Sequence, residues 1–180
     1  MSALYTSMNE LSNHDHSRFL TRTNRRVGRI SYAGAEAASQ NINPAVMREG
    51  VVVQMTWPGA PTVYYGDEAG LVGYADPFNR GTYPWGREDA GLRECIRQMA
   101  ALRNGNTALA TGTLEPMACA AGMVAWRRED ENGSFIICVN AGEGALPLPD
   151  AAKGGETVFT VGRAEERRLE GQSAVIRRIK

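Results

Sequence analysis

The hydrophobic pattern of this chain changes period at Asn104-Gly105. Before that dipeptide, apolar residues recur at helical spacing; after it, they fall in short runs that alternate or are apolar throughout. Leu92, Cys95, Ile96, Met99 and Leu102 share one face of an amphipathic helix predicted over residues 88–103, which Asn104-Gly105 closes. Downstream, strands are predicted over 109–114, 123–128, 134–140, 157–161 and 173–179, with Asn132-Gly133 as a hairpin signal between two of them. No single periodicity serves both halves. The chain reads as an α/β segment, 1–104, followed by an antiparallel all-β segment, 105–180, most simply a β-sandwich.

The α/β segment has its own order. Residues 5–11 read weakly as the tail of a strand, and a polar loop rich in Arg, Ala, Ser and Asn runs to about Asn43. Asn43-Pro44 is a helix start, because Asn caps free backbone N–H groups and Pro is tolerated at the first helical position. The stretch 45–57 is apolar nearly all round (Val46, Met47, Val51, Val52, Val53, Met55, Trp57), so such a helix must be buried on more than one side. Its β-branched run leaves a strand open, but capping and length favour a helix. Pro58-Gly59 ends it, 61–65 reads as a short buried strand, and a Gly-, Pro- and aromatic-rich loop follows to about Gly86. Loops this long are usually functional. Strand, helix, strand, helix is two β/α units of a parallel fold. Two units cannot close a barrel or shield a sheet, which hints that more chain precedes Met1.

Composition removes several function classes. Lys+Arg and Asp+Glu are both 20 of 180 residues, so the formal net charge is zero and no nucleic-acid partner is expected. Arg18, Arg22, Arg25, Arg26 and Arg29 read as a solvated loop and helix face rather than a phosphate-binding strip. No run of about 18 apolar residues exists, so no membrane span is expected, and 1–13 lacks the basic and apolar regions of a signal peptide. Cys95, Cys119 and Cys138 are widely spaced, with neither a CxxC pair nor His14 or His16 nearby. Buried free thiols are the default, with a disulfide or metal use as the alternatives. Free thiols lean towards a cytoplasmic setting.

The chemistry-bearing residues come in two groups. Asn13-His14-Asp15, with Arg18, follows a strand end, where functional side chains of α/β folds cluster. Alone, that cluster reads equally as an Asx-type turn with a hydrogen-bonded histidine. About forty residues on comes Gln54-Met55-Thr56-Trp57-Pro58-Gly59-Ala60-Pro61-Thr62-Val63-Tyr64-Tyr65-Gly66-Asp67-Glu68, with Gly70-Leu71 after one residue. Asp76-Pro77-x-x-Arg80 and Tyr83-Pro84-Trp85 follow.

In this order and spacing, the motifs resemble glycoside hydrolase family 13, the α-amylase family, and within it the neopullulanase, cyclomaltodextrinase and maltogenic-amylase branch. The similarity covers residues 8–112; the remainder looks like that family's C-terminal β-domain. The resemblance implies the last two β/α units of a (β/α)8 TIM barrel followed by a C-terminal antiparallel β-sandwich. It implies Asp15 as the carboxylate that stabilises the transition state and His14 as a glucose hydrogen-bonder. It also implies Arg18 in the same motif and Asp76 with Arg80 as sugar contacts. Tyr74 and Phe78 are open to ligand contact, and Trp85 is a further apolar face for glucose rings. Trp57 and Tyr65 read as core, and Asp67-Glu68 as support for a strand end. The family's nucleophile and general acid have no counterpart here, so the chain alone is expected to be inactive.

The implied partner is an α-glucan, cleaved with retention at α-1,4 or α-1,6 bonds. No cofactor is called for, and calcium is left open. A non-catalytic, carbohydrate-binding or transporter-associated module of the same family is the rival reading. The apolar helix and strand of the first segment are expected either to be covered in a homodimer or to leave the N-terminal third without stable order.

Overall fold

The computed structural model describes residues 3–26 and 34–179; Arg29 lies outside them. A 3-10 turn, Ala3–Thr6, leads into β1 (Met8–Glu10). β1 pairs in parallel with β2 (Ala60–Thr62), Met8 standing opposite Ala60. A parallel pair needs a long crossover, and this one carries three helices, α1 (Phe19–Arg22), α2 (Ala35–Ser39) and α3 (Pro44–Thr56). The first two fall where the sequence predicts an irregular loop. They are too short to be stable alone, and the burial of Leu20, Thr21 and Ala38 holds them.

α3 forms as expected. Asn43 Oδ1 accepts from the amides of Ala45 and Val46, and Pro44 stands in the first turn. Met47, Val51, Val52 and Met55 are buried, so the helix is covered on several sides within this chain. The strand after it is shorter than the predicted 61–65. β1 ends at Glu10 opposite Thr62, and the Tyr65 carbonyl accepts from the Arg18 side chain instead of from a sheet ladder. α4 (Ala90–Asn104) starts two residues later than expected because Asp89, accepting from the Leu92 amide, is its cap.

The predicted strand 109–114 is split in two. A short helix, α5 (Thr107–Ala110), precedes β3 (Thr113–Pro116). The carbonyls of Leu109 and Ala110 accept from the Arg103 guanidinium, which removes them from any strand ladder. The remaining strands are β4 (Met123–Asp130), β5 (Gly133–Asn140), β6 (Leu146–Pro147), β7 (Glu156–Val161), β8 (Arg168–Leu169) and β9 (Ser173–Arg178). Five form an antiparallel sheet in the order β3-β4-β5-β9-β7, and β6 pairs with β8 in a second, two-stranded sheet. The β4–β5 turn is Glu131-Asn132, one residue earlier than the Asn-Gly signal. Asp130 Oδ1 accepts from the amides of Asn132 and Gly133 and closes it.

Residue alternation decides what each face of the large sheet buries. Trp126, Phe135, Ile137, Val139, Ala174 and Ile176 share a core with Met47, Val51, Val52, Leu92 and Met99 of the helices. Met123, Ala125, Ile136, Cys138 and Val175 face Leu148 and Leu169 on the side of the small sheet. One apolar core therefore runs across Asn104, and helices cover the face that a second large sheet would cover in a full sandwich.

Two arginines fasten this junction. Arg103 donates to the carbonyls of Met55, Trp57, Gly59, Leu109 and Ala110. Arg128, fully buried, donates to Thr56, Gly112 and Thr113. Both satisfy the carbonyls left open at the C-terminus of α3, where the helix dipole also favours positive charge. Burial pushes Arg128 down to about 10, the nearby Arg103 charge adding to the effect.

The three cysteines are free, Cys95 and Cys138 buried and Cys119 partly so. Among the described residues no helix is long and apolar enough to cross a membrane, and no three metal-ligating side chains converge. Met8 and Val124 are the open parts of an apolar rim that continues into Val53 and Trp57.

Candidate functional site

The chain leaves β1 at Glu10 and turns sharply. Asn13 makes the turn: its Oδ1 accepts from the Asp15 amide at 2.9 Å and the His16 amide at 3.2 Å. Its Nδ2 donates to the Glu10 carboxylate at 2.6 Å. This is the Asx-type turn that the motif allows, and it presents the next two side chains outward. The His14 and Asp15 side chains are 56% and 69% exposed, with Nε2 and Oδ1 3.3 Å apart. The Asx-type turn therefore leaves both side chains open to solvent instead of using them internally.

Asn79 supports the turn from below. It is fully buried, and its Nδ2 donates to the carbonyls of His14 at 2.7 Å, His16 at 2.9 Å and Asn13 at 3.4 Å. The two N–H bonds of this amide group, one of them shared between carbonyls, fix the loop that carries His14 and Asp15. The same residue closes the 3-10 turn Phe78–Arg80, and its own carbonyl accepts from Arg18 Nε at 2.8 Å.

Arg18 is the centre of this buried layer. It donates to the Tyr65 carbonyl at 2.5 Å and to the Asp67 carboxylate at 3.1 Å, and lies 4.1 Å and 4.8 Å from the ring centroids of Tyr64 and Tyr65. Asp67 also accepts from the Ser12 hydroxyl at 2.8 Å, and that hydroxyl accepts from the Phe19 amide. Burial pushes the Asp67 carboxyl above its ordinary range, while the Ser12 hydrogen bond and the Arg18 charge pull it back. A buried carboxylate held this way stays paired because removing either partner strands a charge.

The loop after β2 brings the second group. Asp76 and Arg80 pair across 2.5 Å with both side chains about half exposed. The hydrogen bond to Asp76 raises Arg80 above its ordinary range. Burial opposes this, and the charges of Asp76, Tyr64 and Asp15 add to it. Phe78 is 40% exposed beside them. The Tyr83 and Trp85 rings meet at 4.5 Å, tilted by 49°, with Trp85 the most open aromatic of the described residues.

The residues expected to touch sugar divide accordingly. His14, Asp15, Asp76, Arg80 and Phe78 reach the surface. Arg18 and Tyr74 do not: Arg18 has no exposed surface, and Tyr74 is 5% exposed with its hydroxyl held between Asn24 and Ala37. Trp57 is partly buried, edge-on to Trp126 at 5.5 Å, as a core residue should be. Tyr65 departs from the core reading. It is 41% exposed, and its hydroxyl donates to the Gly81 carbonyl. Asn79 and Ser12 are not signalled by the motifs. The one hint is position, Asn79 lying inside Asp76-Pro77-Phe78-Asn79-Arg80 and Ser12 directly before Asn13.

An exposed carboxylate next to an imidazole, with a carboxylate–guanidinium pair nearby, is a set of acceptors and donors suited to adjacent hydroxyl groups. Residues 1–127 match the family of alpha-amylase catalytic domains. The chain is 36% identical over 172 residues to an amylopullulanase of Thermoanaerobacter thermohydrosulfuricus, covering 85% of this chain and 11% of that protein. It is 29% identical over 134 residues to a cyclomaltodextrinase of Thermoanaerobacter pseudethanolicus, covering 73% of this chain and 20% of that one. Its structure is similar to that of an Anoxybacillus alpha-amylase with a TM-score of 0.76 and 25% identity, over 97% of this chain and 38% of the other. The chain spans well under half the length of each of these relatives.

Proposed function

The chain belongs to the α-amylase family of glycoside hydrolases, and on that premise we propose that it forms the part of an α-glucan hydrolase that grips glucose beside the bond to be cleaved. On this reading residues 1–104 are the last two β/α units of a (β/α)8 barrel, and 105–180 are the C-terminal β-domain. Asp15 accepts hydrogen bonds from hydroxyls of the reacting sugar, His14 donates to or accepts from a neighbouring hydroxyl, and Asp76 with Arg80 holds a glucose further along the chain. Phe78 offers an apolar face.

The chemistry follows from where charge develops. Retaining cleavage passes through an oxocarbenium-like state, and hydrogen bonds to the ring hydroxyls that strengthen there lower the barrier by several kcal/mol, roughly. An ionised carboxylate is the right acceptor, since charge-assisted hydrogen bonds are about twice as strong as neutral ones. The bond-breaking pair, a nucleophile and a general acid ~5–5.5 Å apart, is assigned to sequence outside this chain. The apolar rim at Met8, Val53, Trp57 and Val124 fits the same reading, as a surface that other parts of a barrel would cover.

The observation that carries the proposal is the exposed Asp15 carboxylate, set beside His14 by the Asn13 turn, which Asn79 ties to the segment bearing Asp76 and Arg80. Two measurements test it. The 180-residue chain should release no reducing sugar from pullulan, starch or cyclodextrins, and clear turnover by the pure chain would defeat the assignment of the other carboxylates elsewhere. A maltooligosaccharide should shift the His14 ring resonances, and should stop doing so in Asp15→Asn. An unchanged titration in that variant would remove Asp15 from the site. The non-catalytic alternative has no specific observation in its favour.

A further inference from the structure

A second cleft lies away from His14, Asp15, Asp76 and Arg80, and none of these lines it. It encloses about 620 Å³ between the start of α3 and the β5–β6 and β8–β9 connections. That volume falls within the range of roughly 300–1,000 Å³ typical of small-molecule sites. We propose that this cleft is a separate binding site for a short neutral saccharide, one or two pyranose rings, held between the α/β segment and the β-domain.

Three observations converge on it. First, the non-glycine residues with left-handed φ among the described residues are Arg25 (57°), Asn41 (57°) and Gln172 (51°), and all three line this cleft. Side chains rarely adopt that conformation, and such strain concentrates where side chains are aimed at a ligand. Second, several of the polar groups are of the kind that hydrogen-bond to vicinal hydroxyls and keep free capacity. Among the described residues the side chains of Arg25, Asn41 and Glu143 make no hydrogen bond or ion pair. Gln172 accepts from Asn43 Nδ2 at 2.9 Å through Oε1 and keeps its Nε2 donors free. Third, Phe19 and Ile42 supply apolar surface in the same cleft, so the lining is polar and apolar at once, like a pyranose ring.

Charge argues for a neutral ligand over an anion. Glu143 lines the cleft together with Arg22 and Arg25, the Arg22 guanidinium already donates to the Leu11 carbonyl, and the first free amides of α3, those of Ala45 and Val46, are already bonded to Asn43 Oδ1. A phosphate would face a carboxylate and find that helix terminus occupied. The assignment of an α-linked glucose oligomer as the probe rests on the function proposed above; the cleft itself does not.

The test is a titration of the isotope-labelled 180-residue chain with maltotriose, and separately with inorganic phosphate, read by amide NMR. Maltotriose should produce saturable shifts at Asn41, Ile42 and Gln172 and in the Gln172 side-chain amide, and phosphate should not. Gln172→Gly and Asn41→Gly remove the side chains at positions where glycine relieves the backbone, so these variants keep the fold. Each should weaken the saccharide roughly fivefold per hydrogen bond lost. Shifts at the cleft with phosphate alone, no saturation with maltotriose, or unchanged affinity in both glycine variants each overturn the proposal. The same spectra separate the two sites. Shifts confined to residues 13–16 sink the cleft and leave the function above standing. Shifts confined to the cleft support it and count against the role given to His14 and Asp15.

Discussion

Glu49 gives the sharpest quantitative prediction. It sits on α3 at 3% exposure, and neither carboxylate oxygen has a hydrogen-bond partner. Burial pushes its pKa from an ordinary 4.5 up to about 7. Because the folded chain holds this proton more tightly than the unfolded chain, the stability Glu49 contributes is complete below pH 4.5. It is lost as the pH rises towards 7, then levels off. At about 1.4 kcal/mol per unit, the loss reaches roughly 3 kcal/mol at pH 8, an upper figure because local relaxation lets water reach the ion. Glu49→Gln keeps the shape and removes the titration. Urea unfolding of both proteins at pH 4, 6 and 8 isolates the effect, since every other titrating group is common to the pair and cancels. The variant should match the parent at pH 4 and exceed it by about 2–3 kcal/mol at pH 8. A difference that stays constant across the three pH values would show that Glu49 does not titrate as a buried, unpartnered acid, and would refute the argument.

Other substitutions probe the buried polar layer and the junction. Asn79→Ala removes both side-chain N–H donors from the 13–16 turn and should cost about 2–3 kcal/mol, with amide exchange of residues 13–16 accelerating well beyond that of α4. Arg128→Met removes a donor from the carbonyls of Thr56, Gly112 and Thr113, leaving Gly112 only the Tyr5 hydroxyl, and a urea midpoint corresponding to a loss of about 3 kcal/mol is expected. Burial raises the thiols of Cys95 and Cys138 to about 11 and about 12, leaving roughly a thousandth or less as thiolate at pH 8. A maleimide should therefore label Cys119 first in the native chain, and equal labelling of all three would contradict the burial.

The elements with strong local signals were legible in the residues. Asn43-Pro44 announces α3, the Leu92–Leu102 stripe announces α4, and short alternating or wholly apolar runs announce β4, β5, β7 and β9. What the pattern hides is set by tertiary contact. α1 and α2 exist because Leu20 and Ala38 are buried, and α5 appears where Arg103 takes the carbonyls that a strand would use. The site was legible in the same partial way. His14-Asp15 and Asp76/Arg80 carry a motif, but Asn79, Ser12 and the Arg18–Asp67 pair work from the interior, and nothing in a polar residue's identity says which way it points. Arg18 and Tyr74 show the converse, since neither a place in a motif nor a place in a long loop puts a side chain on the surface.

The Asn79 contact has a consequence for anyone recombining this fold. Its side chain belongs to the segment that carries Asp76 and Arg80, yet its N–H donors end on the backbone of the segment that carries His14 and Asp15. A chimera that swaps in residues 71–87 from a relative lacking that asparagine would leave the 13–16 turn unmoored without touching its sequence. Loop libraries built on this scaffold should exchange the two stretches as one cassette.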